Sequence, residues 1–139
     1  MKYFVILVAT FMFTAVSWCQ TAASSEQLIK RMISSGVLEG HDQKVIGRMG
    51  DAAAVAVTKV LGERIPSPSE IESILIILNM SFADPTFVET PSDREPRTAL
   101  FILQYFDSST KDLDLKKKIS ETRRYIQEQF LKASPGAPR

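Results

Sequence analysis

His41 is the single histidine of the 139-residue chain, and Asp42 follows it directly. A histidine acting as a base needs a nucleophile to activate and a third group to orient it. The chain supplies no Gly-x-Ser-x-Gly turn, and its one cysteine, Cys19, falls at the end of an apolar N-terminal run. His41 therefore reads as a solvent-facing residue at the start of a helix. One histidine and one cysteine are too few for a zinc site of the usual ligands, and no EF-hand spacing of carboxylates occurs. Sites made of carboxylates alone are left open by this count, but nothing points to a cofactor.

Asp93, Arg94, Glu95 and Arg97 form the densest charge group between apolar segments. Arginine forks bind two oxygens at once, so this cluster is the candidate contact for a partner's carboxylate or backbone. The plainer account is a helix start in which Asp93 and Arg97 pair one turn apart. Glu70 and Glu72 stand two apart and so point to different faces of a helix, which argues against a paired acid and base. Lys116, Lys117 and Lys118 with Arg123 and Arg124 make a basic run, but Asp112, Asp114, Glu121 and Glu128 interleave with it, as on a solvated helix face. Asn79-Met80-Ser81 fits the glycosylation triplet but lies in an apolar stretch that cannot house a sugar, so Asn79 is expected to bond a loop backbone. Gly47 and Gly50 are too close and too isolated to cradle a phosphate or dinucleotide.

These residues need elements to place them. Met1 and Lys2 open a positive start, and the run from Tyr3 to Trp18 is broken only by Thr10, Thr14 and Ser17, the pattern of a secretory signal. Ser17 and Cys19 offer the small side chains a signal peptidase needs before Gln20; Thr21 and Ala23 offer a second choice before Ser24. An uncleaved anchor would need about 20 apolar residues and a basic stop. Lipidation at Cys19 is opposed by the bulk of Trp18. Residues 1–19 are thus read as a signal peptide, 20–23 as a short linker, 24–132 as one all-helical domain, and 133–139, with two prolines and a glycine, as a disordered tail.

Within the domain the apolar residues recur at helical spacing. Leu28, Ile29, Met32 and Ile33 share a face before Gly36, and Val45, Ile46 and Met49 turn inward in a shorter segment. Asp51 caps an alanine-rich helix to Arg64, closed by Pro66. Ser67, Pro68 and Glu70 spell a capping box for a helix to about Phe82, apolar on nearly every side and so central. Thr86 to Glu89 make one short turn. Ser92 to Glu95 offer a second capping box, with Pro96 in the first turn of a helix that buries Ala99, Leu103 and Phe106. The last helix, Asp112 to Lys132, is amphipathic.

The stretch Val45 to Gly62, VIGRMGDAAAVAVTKVLG, resembles bacterial HEAT-like helical repeats, in which a glycine-rich Gly-Asp turn leads into an alanine-rich helix. Gly47, Gly50 and Asp51 stand at the turn, with Ala53, Ala54, Val55, Val60 and Leu61 behind, and the likeness runs on to Phe82. The resemblance implies stacked helical hairpins and a binding or scaffolding role.

The expected fold is all-α, a small helical bundle or degenerate HEAT-like hairpins behind a signal peptide. Seventeen Lys and Arg against sixteen Asp and Glu exclude a nucleic-acid footprint. The expected function is that of an exported, periplasmic or secreted, non-enzymatic protein whose partner is another protein. Two alternatives stand beside it. One is a small carboxylate- and arginine-based enzyme or ligand carrier, with Asp84, Asp93 or Arg94 in a pocket against an apolar wall. The other is an accessory protein anchored in the membrane by an uncleaved leader.

Overall fold

Most helix boundaries in this chain have a local chemical cause. The computed structural model describes residues 25–134 and 136. The leader, with the cleavage expected at Cys19 and Gln20, the linker 20–23 and most of the tail lie outside the described residues. Among the described residues the chain is all-α, with no strand. Helix α1 covers residues 25–35, α2 Gly40–Gly47, α3 Asp51–Leu61 and α4 Pro68–Ser81. Two 3-10 turns follow at Pro85–Phe87 and Pro91–Arg94, then α5 at Arg97–Ser109 and α6 at Leu113–Ala133.

The start of α4 is the one the sequence spells out. Ser67 Oγ accepts from the Glu70 backbone N–H at 3.3 Å while the Glu70 carboxylate accepts from the Ser67 N–H at 2.8 Å, and Pro68 occupies the first helical position. Asp112 caps α6 in the same spirit, its Oδ1 accepting from the N–H groups of Asp114 and Leu115. Helix α3 ends earlier than expected. Gly62, at φ +58°, takes the left-handed turn after Leu61, so Pro66 follows the stop and does not make it.

The entrance to α5 departs from expectation most. Ser92 to Glu95 form no capping box; Pro91–Arg94 wind as a 3-10 turn, and Pro96 is the residue before the helix. Proline has no side-chain acceptor to offer the first N–H groups, so α5 must be capped from elsewhere. At its other end α5 runs through Asp107 to Ser109.

Helix α4 is the centre of the packing. Ile74, Ile77 and Leu78 are fully buried, and α4 packs against α2, α3 and α6, while α5 lies on α3 and α6. Ile29, Met32 and Ile33 of α1, Ala53, Ala54 and Val57 of α3, Leu103 and Phe106 of α5, and Ile119 and Ile126 of α6 complete one continuous core. The alanines let α3 approach its neighbours closely, as their small size requires.

Candidate functional site

Asp51 is the first residue of α3, and its carboxylate serves another helix. Oδ2 accepts from the Thr98 N–H and Oδ1 from the buried Ala99 N–H, both at 2.9 Å. The cap that Pro96 cannot give α5 is thus supplied by a residue 47 positions earlier. The sequence reading gave Asp51 a capping role but assigned it to its own helix, where Gly50 is the boundary residue.

Gly50 is held against the same loop. Its φ is +56°, and a Cβ there would stand 2.2 Å from the Asp93 carbonyl oxygen and 2.8 Å from Val88 Cγ1. Glu89 N–H donates to the Arg48 carbonyl at 3.1 Å, so the turn from Arg48 to Asp51 and the link from Val88 to Ala99 are joined by backbone as well as side chain.

The charge cluster predicted to grip a partner is divided by this arrangement. Arg97 pairs with Glu95 at 2.7 Å, and not with Asp93 one turn away. Arg97 Nη2 holds the Glu95 carboxyl below its ordinary range. Arg94 turns back to the Val88 carbonyl at 3.4 Å. Asp93 is pushed above the usual carboxylate range, first by burial and then by the charge of Asp51. The four side chains therefore do not converge on one point. Asp84 is also spent locally, accepting from the Thr86 hydroxyl and N–H, which hold its carboxyl low.

Three surface grooves are candidates for binding. One, about 670 Å³, lies between α1, α2 and α3 and includes His41, Lys44, Arg48, Lys59 and Asp93. Its cations are largely answered in place: Lys59 meets Glu26 at 3.1 Å and Arg48 lies 3.7 Å from Glu89. His41 is exposed there, while Asp42 beside it is buried and accepts from Arg31 Nη2 at 2.7 Å. A second, about 570 Å³, lies where α2 meets the end of α4 and holds Asp84 and the exposed Phe87. Asp84 and Asp93 thus line different grooves, each beside apolar side chains.

The third groove, about 560 Å³, runs between α4 and α6. Glu72, Leu75, Ile76 and Asn79 line it from α4; Lys118, Glu121, Thr122 and Tyr125 line it from α6. Each set has the spacing i, i+3, i+4, i+7, so two parallel stripes face one trough. Glu72 and Lys118 pair at one end, raising the Lys118 ammonium above its ordinary value. Ile76 is 47% exposed although it sits in the most apolar helix. Asn79 Nδ2 donates to Thr122 Oγ1 at 3.3 Å, in place of the loop backbone expected from sequence. Its Oδ1 is shielded from water and has no donor, the one such side-chain atom among the described residues. The sequence held a sign of this groove in Asn79 itself, a polar amide on an apolar helix.

No group of three or more His, Cys, Asp or Glu residues able to hold a metal ion occurs among the described residues, and none of their helices is long and apolar enough to cross a membrane. Comparison with protein-family models, with curated proteins and with solved structures finds no match to this chain.

Proposed function

We propose that the chain is an exported, non-enzymatic helical protein that binds another protein of the cell envelope through the groove between α4 and α6. The observation that carries this reading is the open seam on α4. A helix whose other faces are packed against α2, α3 and α6 leaves Ile76 exposed beside a buried amide oxygen without a donor. Exposed apolar surface next to an unmet polar group is costly in the free protein, and such departures from a well-satisfied surface are where binding sites are found. The apolar leader supports export, and the Gly50-Asp51 turn with its alanine-rich helix supports a HEAT-like, surface-presenting ancestry.

The test is site-specific photo-crosslinking in envelope extracts, with the reactive amino acid placed at Ile76 or, as a control, at Ser120 on the outer face of α6. Discrete adducts from Ile76 alone are expected. Identical adducts from both positions, or no adduct while the purified protein turns over a small substrate, would overturn the reading. The mass of the mature N-terminus distinguishes export by cleavage after Cys19 from anchoring by an intact leader.

A further inference from the structure

The groove between α4 and α6 has a chemistry that selects its occupant, and this step rests on the proposed role of the chain as an interaction module. Each wall offers side chains over one heptad, so the two stripes run side by side for about 10 Å. That periodicity matches the face of a third helix; an extended strand would place its side chains at a period of two and fall out of step. A small ligand is a poor fit, because the trough is mostly apolar, open along its length and lacks a converging set of polar groups.

The polar inventory is one-sided. Lys118 is the groove's cation, and Glu72 neutralises it. Glu121, exposed on the rim, makes no ion pair among the described residues, and the charges that line the groove leave one negative in excess. In the floor, one N–H of the Asn79 amide goes to Thr122, and its buried Oδ1 has no donor.

We infer that the groove between α4 and α6 takes a basic amphipathic helix of a partner protein, its apolar face on Leu75, Ile76 and Tyr125 and a lysine or arginine opposite Glu121. The mode is helix in groove: apolar anchors supply most of the affinity, and the rim charge sets which helices are accepted.

Two synthetic helical peptides with the same leucine stripe, one carrying lysines and the other glutamates on its flanks, serve as probes. Each is titrated into the isotope-labelled protein and followed by NMR. The lysine peptide is expected to shift the Asn79 side-chain amide and the backbone amides from Lys118 to Tyr125 saturably, and to bind about tenfold more tightly than the glutamate peptide. Glu121→Lys is expected to reverse that preference and Glu121→Gln to remove most of it. Glu121 is exposed, so both variants retain the fold, which circular dichroism checks. Equal binding of the two peptides, shifts confined to other surfaces, or a preference untouched by Glu121→Lys would overturn the inference. Adducts at Ile76 in envelope extracts together with no charge preference would remove the basic helix and leave the interaction module standing.

Discussion

Gly50 carries two constraints that differ in kind. Its φ of +56° is a conformation that a side chain opposes from within the residue, and the Asp93 carbonyl stands where a Cβ would go. Gly62, at φ +58°, has the first constraint alone, since nothing lies within 4 Å of its added Cβ. Gly62→Ala is therefore expected to cost about 1 kcal/mol, the backbone strain alone. Gly50→Ala should cost about 3 kcal/mol, because the loop from Val88 to Asp93 must also move. Urea denaturation midpoints of the two variants measure the difference; equal losses would mean that the loop yields freely. That Gly50 marks a turn is legible in its neighbours Gly47 and Asp51. That it touches Asp93 is not, because the contact joins residues 43 positions apart through a backbone oxygen, which leaves no trace in residue type. Asn79 is the reverse case: its side chain stands out against the apolar sequence around it, but its partner Thr122 is an ordinary residue of a polar helix.

Elements were readable where their ends are capped locally. Helix α4 was placed by Ser67, Pro68 and Glu70, all within one turn, and α6 by Asp112. The start of α5 was misread because Ser92, Asp93 and Glu95 compose a plausible local box while the true acceptor, Asp51, is distant. The cap of α4 also gives the chain a pH dependence. Arg64 Nη1, 2.7 Å from the Glu70 carboxylate, and then the Ser67 N–H lower the Glu70 carboxyl from 4.5 to about 2. The folded value lies below the unfolded one, so between them the unfolded chain binds more protons and stability rises with pH. The contribution is complete above about pH 4.5 and is lost as the pH falls towards about 2. Glu70→Gln keeps an oxygen for the Ser67 N–H but removes the charge that Arg64 meets. The variant is expected to melt lower than the parent near neutral pH, and the two melting curves should converge at the acid end. A constant gap in melting temperature across that range would show that the Arg64 pair contributes nothing to the fold.

At the scale of the molecule the choice lies between a bundle that unfolds as one unit and a stack of hairpins in which each pair supports its neighbours. The all-α class and a single core were legible from helical periodicity, but that choice was not, since both arrangements bury the same stripes. The single unit is the expected outcome, because one continuous core runs through all the helices. Helix α4 touches α2, α3 and α6 together, and α5 is tied back to the start of α3 by both oxygens of Asp51. Asp51→Ala leaves the N–H groups of Thr98 and Ala99 without acceptors, and Ala99 is fully buried, so a loss of about 1–3 kcal/mol is expected. In a stack of repeats that loss stays near the damaged interface, and distant repeats keep their protection. In a cooperative bundle the slowest-exchanging amides report global opening wherever they sit. Hydrogen exchange on the variant should therefore show the core amides of Ile29 in α1, Leu78 in α4 and Ile126 in α6 all losing protection by the same factor, roughly tenfold to hundredfold. Loss confined to α3 and α5, with α1 unchanged, would instead place the chain among the stacked architectures. The groove between α4 and α6 would then be the side of an array, free to flex apart from α1 and α2, and not a trough held rigid by the whole core.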